Sequence, residues 1–102
     1  MVKNITEENF KETTKNGISI IKFGAQWCGP CRQMAPIIEK LSEEIKDVVV
    51  GDCDIDESPS LAQELGIRSV PTTIIFNNGE VKDTIIGVET VDQLKDRLNN
   101  QI

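Results

Sequence analysis

Two cysteines separated by two residues, in the run Trp27-Cys28-Gly29-Pro30-Cys31, are the side chains here whose types and spacing point to chemistry. They stand where an apolar, strand-like run from Ile18 to Phe23 ends. Just beyond them Met34, Ile37, Ile38, Leu41 and Ile45 begin to recur at helical spacing. A cysteine at a helix N-terminus lies near unpaired backbone N–H groups and the positive end of the helix dipole, both of which favour its thiolate. Cys28 is therefore expected to be the nucleophile. Cys31, three residues on and inside the first turn, can approach Cys28 closely enough for a disulfide, and should be the more buried, resolving thiol. The reaction expected is attack of the Cys28 thiolate on a substrate disulfide to give a mixed disulfide. Cys31 then breaks it, so that the substrate leaves reduced and this chain is left oxidised.

The competing chemistry for a Cys-x-x-Cys pair is half of a zinc site, which requires four ligands. With three cysteines and no histidine, the chain could complete such a set only from Cys53 and an aspartate, and it has no second Cys-x-x-Cys. Neither a metal nor an organic cofactor is expected. Cys53 alternates with Val49 and Ile55, so it reads as a small buried hydrophobe.

The elements that must position the pair follow from the hydrophobic pattern. Thr6 reads as an N-cap with Ile5 and Phe10 as a hydrophobic staple, opening a helix that ends near Asn16-Gly17. Residues 18–23 read as a central buried strand, apolar on both alternating faces except at Ser19 and Lys22. The helix after the cysteines is expected to run to about Lys46, with a kink at Pro36. Residues 48–55 read as a second buried strand, and Ser58-Pro59 starts a short helix that Gly66 stops. Residues 72–76 and 80–86 are strand-like and joined by Asn77-Asn78-Gly79, which predicts an antiparallel hairpin. Thr90 with Gln93 forms a capping box ahead of a last amphipathic helix carrying Val91, Leu94 and Leu98, and Val2 to Ile5 could add a short edge strand. The order predicts a single α/β domain over residues 1–102, a mixed sheet covered by helices on both faces.

Composition narrows the function classes. A net charge of −6, with no clustered Lys and Arg, disfavours nucleic-acid binding. Apolar runs of only a few residues, such as Val48 to Val50, fall far short of the roughly 20 needed to cross a bilayer, so no membrane association is expected. The N-terminal residues turn acidic at once and lack the apolar segment of a secretory signal, so a cytoplasmic location is expected.

The run Phe23-Gly24-Ala25-Gln26-Trp27-Cys28-Gly29-Pro30-Cys31, followed in order by Val70-Pro71-Thr72 and Asn78-Gly79, resembles the thioredoxin family over essentially the whole chain. The resemblance implies the thioredoxin fold, a three-layer αβα arrangement with a central mixed sheet of four to five strands. It also implies a protein-disulfide reductase, itself re-reduced by a thioredoxin reductase. Gly29 and Pro30 between the cysteines go with reductases, whereas relatives that oxidise or isomerise usually carry His in the second position. Val70-Pro71 resembles the family's cis-proline loop, which lies beside the dithiol and offers backbone groups to an extended substrate. By the same likeness Trp27, Gly29, Pro30, Val70, Pro71, Gly87 and Val88 would form a flat, weakly polar surface around Cys28 on which disulfide-containing proteins dock. A working dithiol needs that face open, and a monomer is expected.

Two positions depart from the family. Six residues before the first cysteine, where thioredoxins commonly place a buried Asp, this chain has Lys22, and Asp52 stands where many members carry Lys. Asp52 alternates with Val48 and Val50 on the neighbouring strand, so the expectation is a buried Lys22–Asp52 ion pair beneath the dithiol that tunes it. Asp52, through Lys22 or a water, would then serve proton transfer near Cys31. The alternative is that Lys22 reaches solvent and Asp52 lies exposed. Gly24 replaces an aromatic residue frequent in the family. The rival functions are a thiol oxidase or isomerase of the same fold, and a non-catalytic interaction module that would survive loss of both thiols.

Overall fold

A computed structural model describes residues 1–101. Its elements run β1 (Lys3–Ile5), α1 (Phe10–Thr14), β2 (Ile18–Gly24), α2 (Gly29–Glu44), β3 (Val48–Asp54), α3 (Pro59–Glu64), β4 (Thr72–Asn77), β5 (Glu80–Ile86) and α4 (Val91–Asn99). The strands form one mixed sheet in the order β1-β3-β2-β4-β5. β3 pairs in parallel with both β1 and β2, whereas β2–β4 and β4–β5 are antiparallel. The sheet therefore has the five strands at the upper end of the expected range.

Alternation along β2 divides the core in two. Ile20 joins Val50, Ile75 and Ile85 on the face covered by Met34, Ile38 and Leu41 of α2 and by Leu94 and Leu98 of α4. Ile21 and Phe23 point the other way, toward Ile5, Cys53, Leu61, Ile74 and Phe76, with Phe10 stacked edge-on against Phe76 at 5.3 Å. Burial on both faces explains why β2 reads as nearly continuous apolar sequence. Lys22 has the parity of Ile20 and so belongs to the α2 face, at the end of β2 nearest the cysteines.

Local signals mark most boundaries. Asn78 and Gly79 both adopt positive φ, 52° and 85°, as a two-residue hairpin between twisted strands requires. The α4 capping box is complete: the Gln93 N–H donates to Thr90 Oγ1 at 3.1 Å and the Thr90 N–H donates to Gln93 Oε1 at 2.9 Å. The regular turns of α1 begin at Phe10, but Thr6 caps the segment as its sequence suggests. The Thr6 N–H donates to Asn9 Oδ1 at 2.8 Å, the Asn9 N–H donates to Thr6 Oγ1 at 3.3 Å, and the Phe10 N–H donates to the Thr6 carbonyl at 3.1 Å. This is the same reciprocal capping arrangement as at α4, with a turn over residues 7–9 leading into the helix. α2 passes through Pro36 and stops at Glu44, short of Lys46, with Ile45 extended and packed against the core.

Gly51 is fixed by close approach, since a Cβ there would lie 2.6 Å from Ile5 Cγ1, and Ile5 is itself fully buried. Gly51→Ala is expected to destabilise the protein by about 1–3 kcal/mol in denaturant unfolding, the usual cost of overpacking. An unchanged midpoint would mean that β1 can move away from the sheet.

Candidate functional site

Cys28 is the N-cap residue of α2, with Gly29 at N1, Pro30 at N2 and Cys31 at N3. A Ser or Asp cap would offer an oxygen to the N3 amide; here sulfur takes that place. The Cys31 N–H donates to Cys28 Sγ at 3.1 Å. Pro30 has no N–H to compete for the sulfur, and no acidic residue occupies the first turn of α2. The two sulfurs are joined in a disulfide, with the Cα atoms 5.2 Å apart. Cys28 is 5% exposed and Cys31 2%, which agrees with the expected order of burial.

The Val70–Pro71 bond is cis. The Val70 carbonyl oxygen lies 3.7 Å from Cys28 Sγ, where it can accept the proton of the reduced thiol. Pro71 is buried, and its carbonyl accepts from the Gly87 N–H at 3.0 Å, which ties the loop after β5 to the proline loop. Trp27, 67% exposed, projects beside Cys28, with Gly29, Pro30 and Val88 exposed and Val70 and Gly87 half-buried. All seven positions expected to surround Cys28 thus fall in three segments: the turn that carries the pair, the cis-proline loop whose Val70 carbonyl reaches Cys28 Sγ, and the loop after β5 that Gly87 ties to Pro71. Pro71 differs from the others in contributing through the backbone geometry of its loop rather than through an open side chain.

Two tethers around this face had no counterpart in the sequence reasoning. The Trp27 indole N–H donates to Asp56 at 2.9 Å, and Asp56 is placed by its own N–H bond to Asp54 Oδ1 at 2.8 Å. The Arg32 guanidinium donates to the Gln26 carbonyl at 2.8 Å. The Asp54-Ile55-Asp56 spacing was the one available signal, an Asx turn, but nothing in it names Trp27 as the partner.

Lys22 and Asp52 are register partners across β2 and β3, and Lys22 Nζ lies 3.4 Å from Asp52 Oδ1. The expected pair forms, but it is not buried throughout. The Lys22 side chain is 6% exposed and that of Asp52 48%, because Asp52 sits near the C-terminal end of β3 at the mouth of a cleft of about 320 Å³. Lys22 also donates to the Cys31 carbonyl oxygen at 3.3 Å.

A family model described as Thioredoxin matches residues 1–100. A thioredoxin from Rickettsia prowazekii is 44% identical over 105 aligned residues that cover all of both chains, and one from Chlamydia caviae is 40% identical over 99% of this chain and 98% of the relative. The crystal structure of a Malassezia sympodialis thioredoxin superposes with a TM-score of 0.89 at 35% identity, covering 98% of this chain and 90% of that one. This chain belongs to the thioredoxin family. It is a thiol–disulfide oxidoreductase of the protein-disulfide reductase type, with Cys28 and Cys31 as its redox pair. The fold expected from the thioredoxin likeness is the fold observed. Among the described residues no helix is long and apolar enough to cross a membrane, and no three His, Cys, Asp or Glu side chains converge to hold a metal ion.

Cys53, the remaining thiol, is buried within the second core cluster. Burial pushes its pKa up, a hydrogen bond with Ser58 opposes the shift, and the carboxylates of Asp52, Asp54 and Glu7 add to it. Because folding raises this pKa, the contribution of the neutral thiol is complete below about pH 8.5 and is lost as the pH rises beyond it. In oxidised protein, iodoacetamide should leave Cys53 unmodified until the chain unfolds. Denaturation at pH 7 and pH 10 should show a smaller alkaline loss of stability in Cys53→Ala than in the wild type, and equal losses would contradict the shift.

Proposed function

We propose that Cys28 is the attacking thiol and Cys31 the resolving thiol in the reduction of disulfides on other proteins. The observation that carries this assignment is the N3 amide of α2 aimed at Cys28 Sγ and not at Cys31, which favours negative charge on one sulfur of the pair. A substrate disulfide approaching over Trp27, Gly29, Pro30, Val70 and Val88 meets Cys28, with the Pro71 and Gly87 backbone shaping the floor of that surface. Attack forms the mixed disulfide, and Cys31, held behind Cys28 in the first turn, displaces the substrate as a thiolate while the Cys28–Cys31 bond forms. Gly29 and Pro30 keep the two sulfurs within one turn. Lys22 and Asp52 tune the pair from beneath, and Asp52 is within reach, through Lys22, of the proton that Cys31 gives up.

The oxidised protein is then re-reduced by a thioredoxin reductase, and the cycle runs in a single-domain cytoplasmic monomer. The named thioredoxin relatives, the acidic composition and the open face around Cys28 support this reading.

Insulin reduction by dithiothreitol tests the roles. The wild type should accelerate precipitation of the insulin chains, and Cys28→Ser should fall to the rate of the blank. Cys31→Ser should accumulate a covalent adduct with an insulin chain, visible by mass. An adduct on Cys28→Ser instead would reverse the two roles, and no acceleration by folded wild type with both thiols free would refute the reductase reading.

A further inference from the structure

Gly87, Val88 and Glu89 join the end of β5 to Thr90, the cap of α4. The loop is fastened at both ends. The Gly87 N–H donates to the Pro71 carbonyl at 3.0 Å, and the Thr90–Gln93 capping box closes the far side. Glu89 is gripped as well. Arg97, two turns along α4, donates from Nε to Glu89 Oε1 at 2.8 Å and from Nη2 to Glu89 Oε2 at 2.7 Å, the fork-to-fork pairing of a guanidinium with a carboxylate. Its third nitrogen, Nη1, donates to Asp83 Oδ2 of β5 at 3.0 Å. One side chain thus ties together the helix, the strand and the loop between them. Isolated ion pairs at a surface contribute little, but a bidentate pair within a network of three charges is the exception. Glu89 is half-buried by these contacts, whereas its neighbour Val88 stands exposed.

We propose that Arg97 is a positioning residue for protein substrates: its grip on Glu89 holds Gly87 and Val88 against the proline loop, so that Val88 meets a partner as part of a preformed surface. The inference rests on the docking surface proposed above and concerns how that surface is held rather than the chemistry at Cys28. A loop ordered before the encounter spares the complex the cost of ordering it. A small disulfide that reaches only the sulfur gains nothing from a fixed loop, so the effect is confined to substrates large enough to touch Val88.

The test oxidises the reduced protein with insulin and, separately, with bis(2-hydroxyethyl) disulfide, and follows each second-order rate constant by alkylation and mass. In both reactions Cys28 and Cys31 give up two electrons and two protons as their S–S bond forms, and the S–S bond of the substrate breaks to two thiols. Arg97→Gln should lower the insulin constant about fivefold, the loss of a bidentate charged pair in a network, and leave the small-disulfide constant unchanged. Glu89→Gln should do the same, and the double variant should lose no more than either alone. The two substitutions change the net charge in opposite directions, so an effect of long-range charge would move the insulin constant oppositely in the two. Hydrogen exchange at the Gly87 amide should quicken in both. Lys95→Gln, which removes the pair between α4 and Glu44 of α2, should change neither constant. An insulin constant unchanged in Arg97→Gln and Glu89→Gln, opposite shifts in the two, equal losses on both disulfides, or a loss of the same size in Lys95→Gln would overturn the proposal. Should Arg97→Gln fail to fold, Glu89→Gln in its loop decides alone by the same readings. A folded wild type that reacts with the small disulfide but not with insulin would refute the docking surface itself, and one that reacts with neither would refute the dithiol cycle.

Discussion

The site depends on a helix cap made of sulfur. α2 must begin where β2 ends, its N-terminal amides must find acceptors, and Cys28 supplies one to the amide of Cys31. That single bond fixes three things. It sets the start of the helix, it brings the second cysteine to the third position of the first turn, and it aims a donor and the helix dipole at Cys28 Sγ. Pro30 strengthens the arrangement by contributing no competing N–H. The chemistry and the fold are thus specified by the same few atoms, which is why the spacing of two residues between the cysteines matters as much as their identity.

The sheet holds this cap in place. β2 runs through the middle, buried on both faces, and delivers Gly24 and Ala25 to the turn, while the proline loop that leads into β4 brings the Val70 carbonyl to 3.7 Å from Cys28 Sγ. The Gly87 amide bonded to the Pro71 carbonyl carries a third segment to the same place. Cys28 Sγ is consequently set among loops anchored to neighbouring strands, and the face of the molecule around it is shaped by backbone more than by charged side chains.

Much of this was legible in the sequence because the signals are local or periodic. The helix faces, the Asn78-Gly79 turn, the Thr90 capping box and the strand-to-helix position of Cys28 all follow from residues within a few positions of one another. The Lys22–Asp52 contact was legible for a different reason: two polar residues occupying equivalent places on adjacent buried strands have little else to meet. What the sequence concealed was how far each partner is buried. That depends on where β3 reaches the edge of the cleft, and Asp52 emerges half-exposed while Lys22 does not. The Trp27–Asp56 bond was equally hidden, because a contact spanning 29 residues between two exposed side chains leaves no pattern. At α1 the Thr6 cap was legible, but its partner at the third position is Asn9 in place of the usual Glu or Gln, and the segment between them is a turn, so the regular helix begins only at Phe10.

The claim that the cap directs charge to one sulfur can be measured on the reduced protein, by following the pH dependence of iodoacetamide modification and mapping the alkylated cysteine by mass. The account predicts that Cys28 is modified first, with a rate that reaches half its maximum below the pH of about 8.5 at which a free thiol ionises, and that Cys31 follows only at higher pH. Modification of Cys31 first, or a Cys28 profile no lower than that of a free thiol, would contradict it.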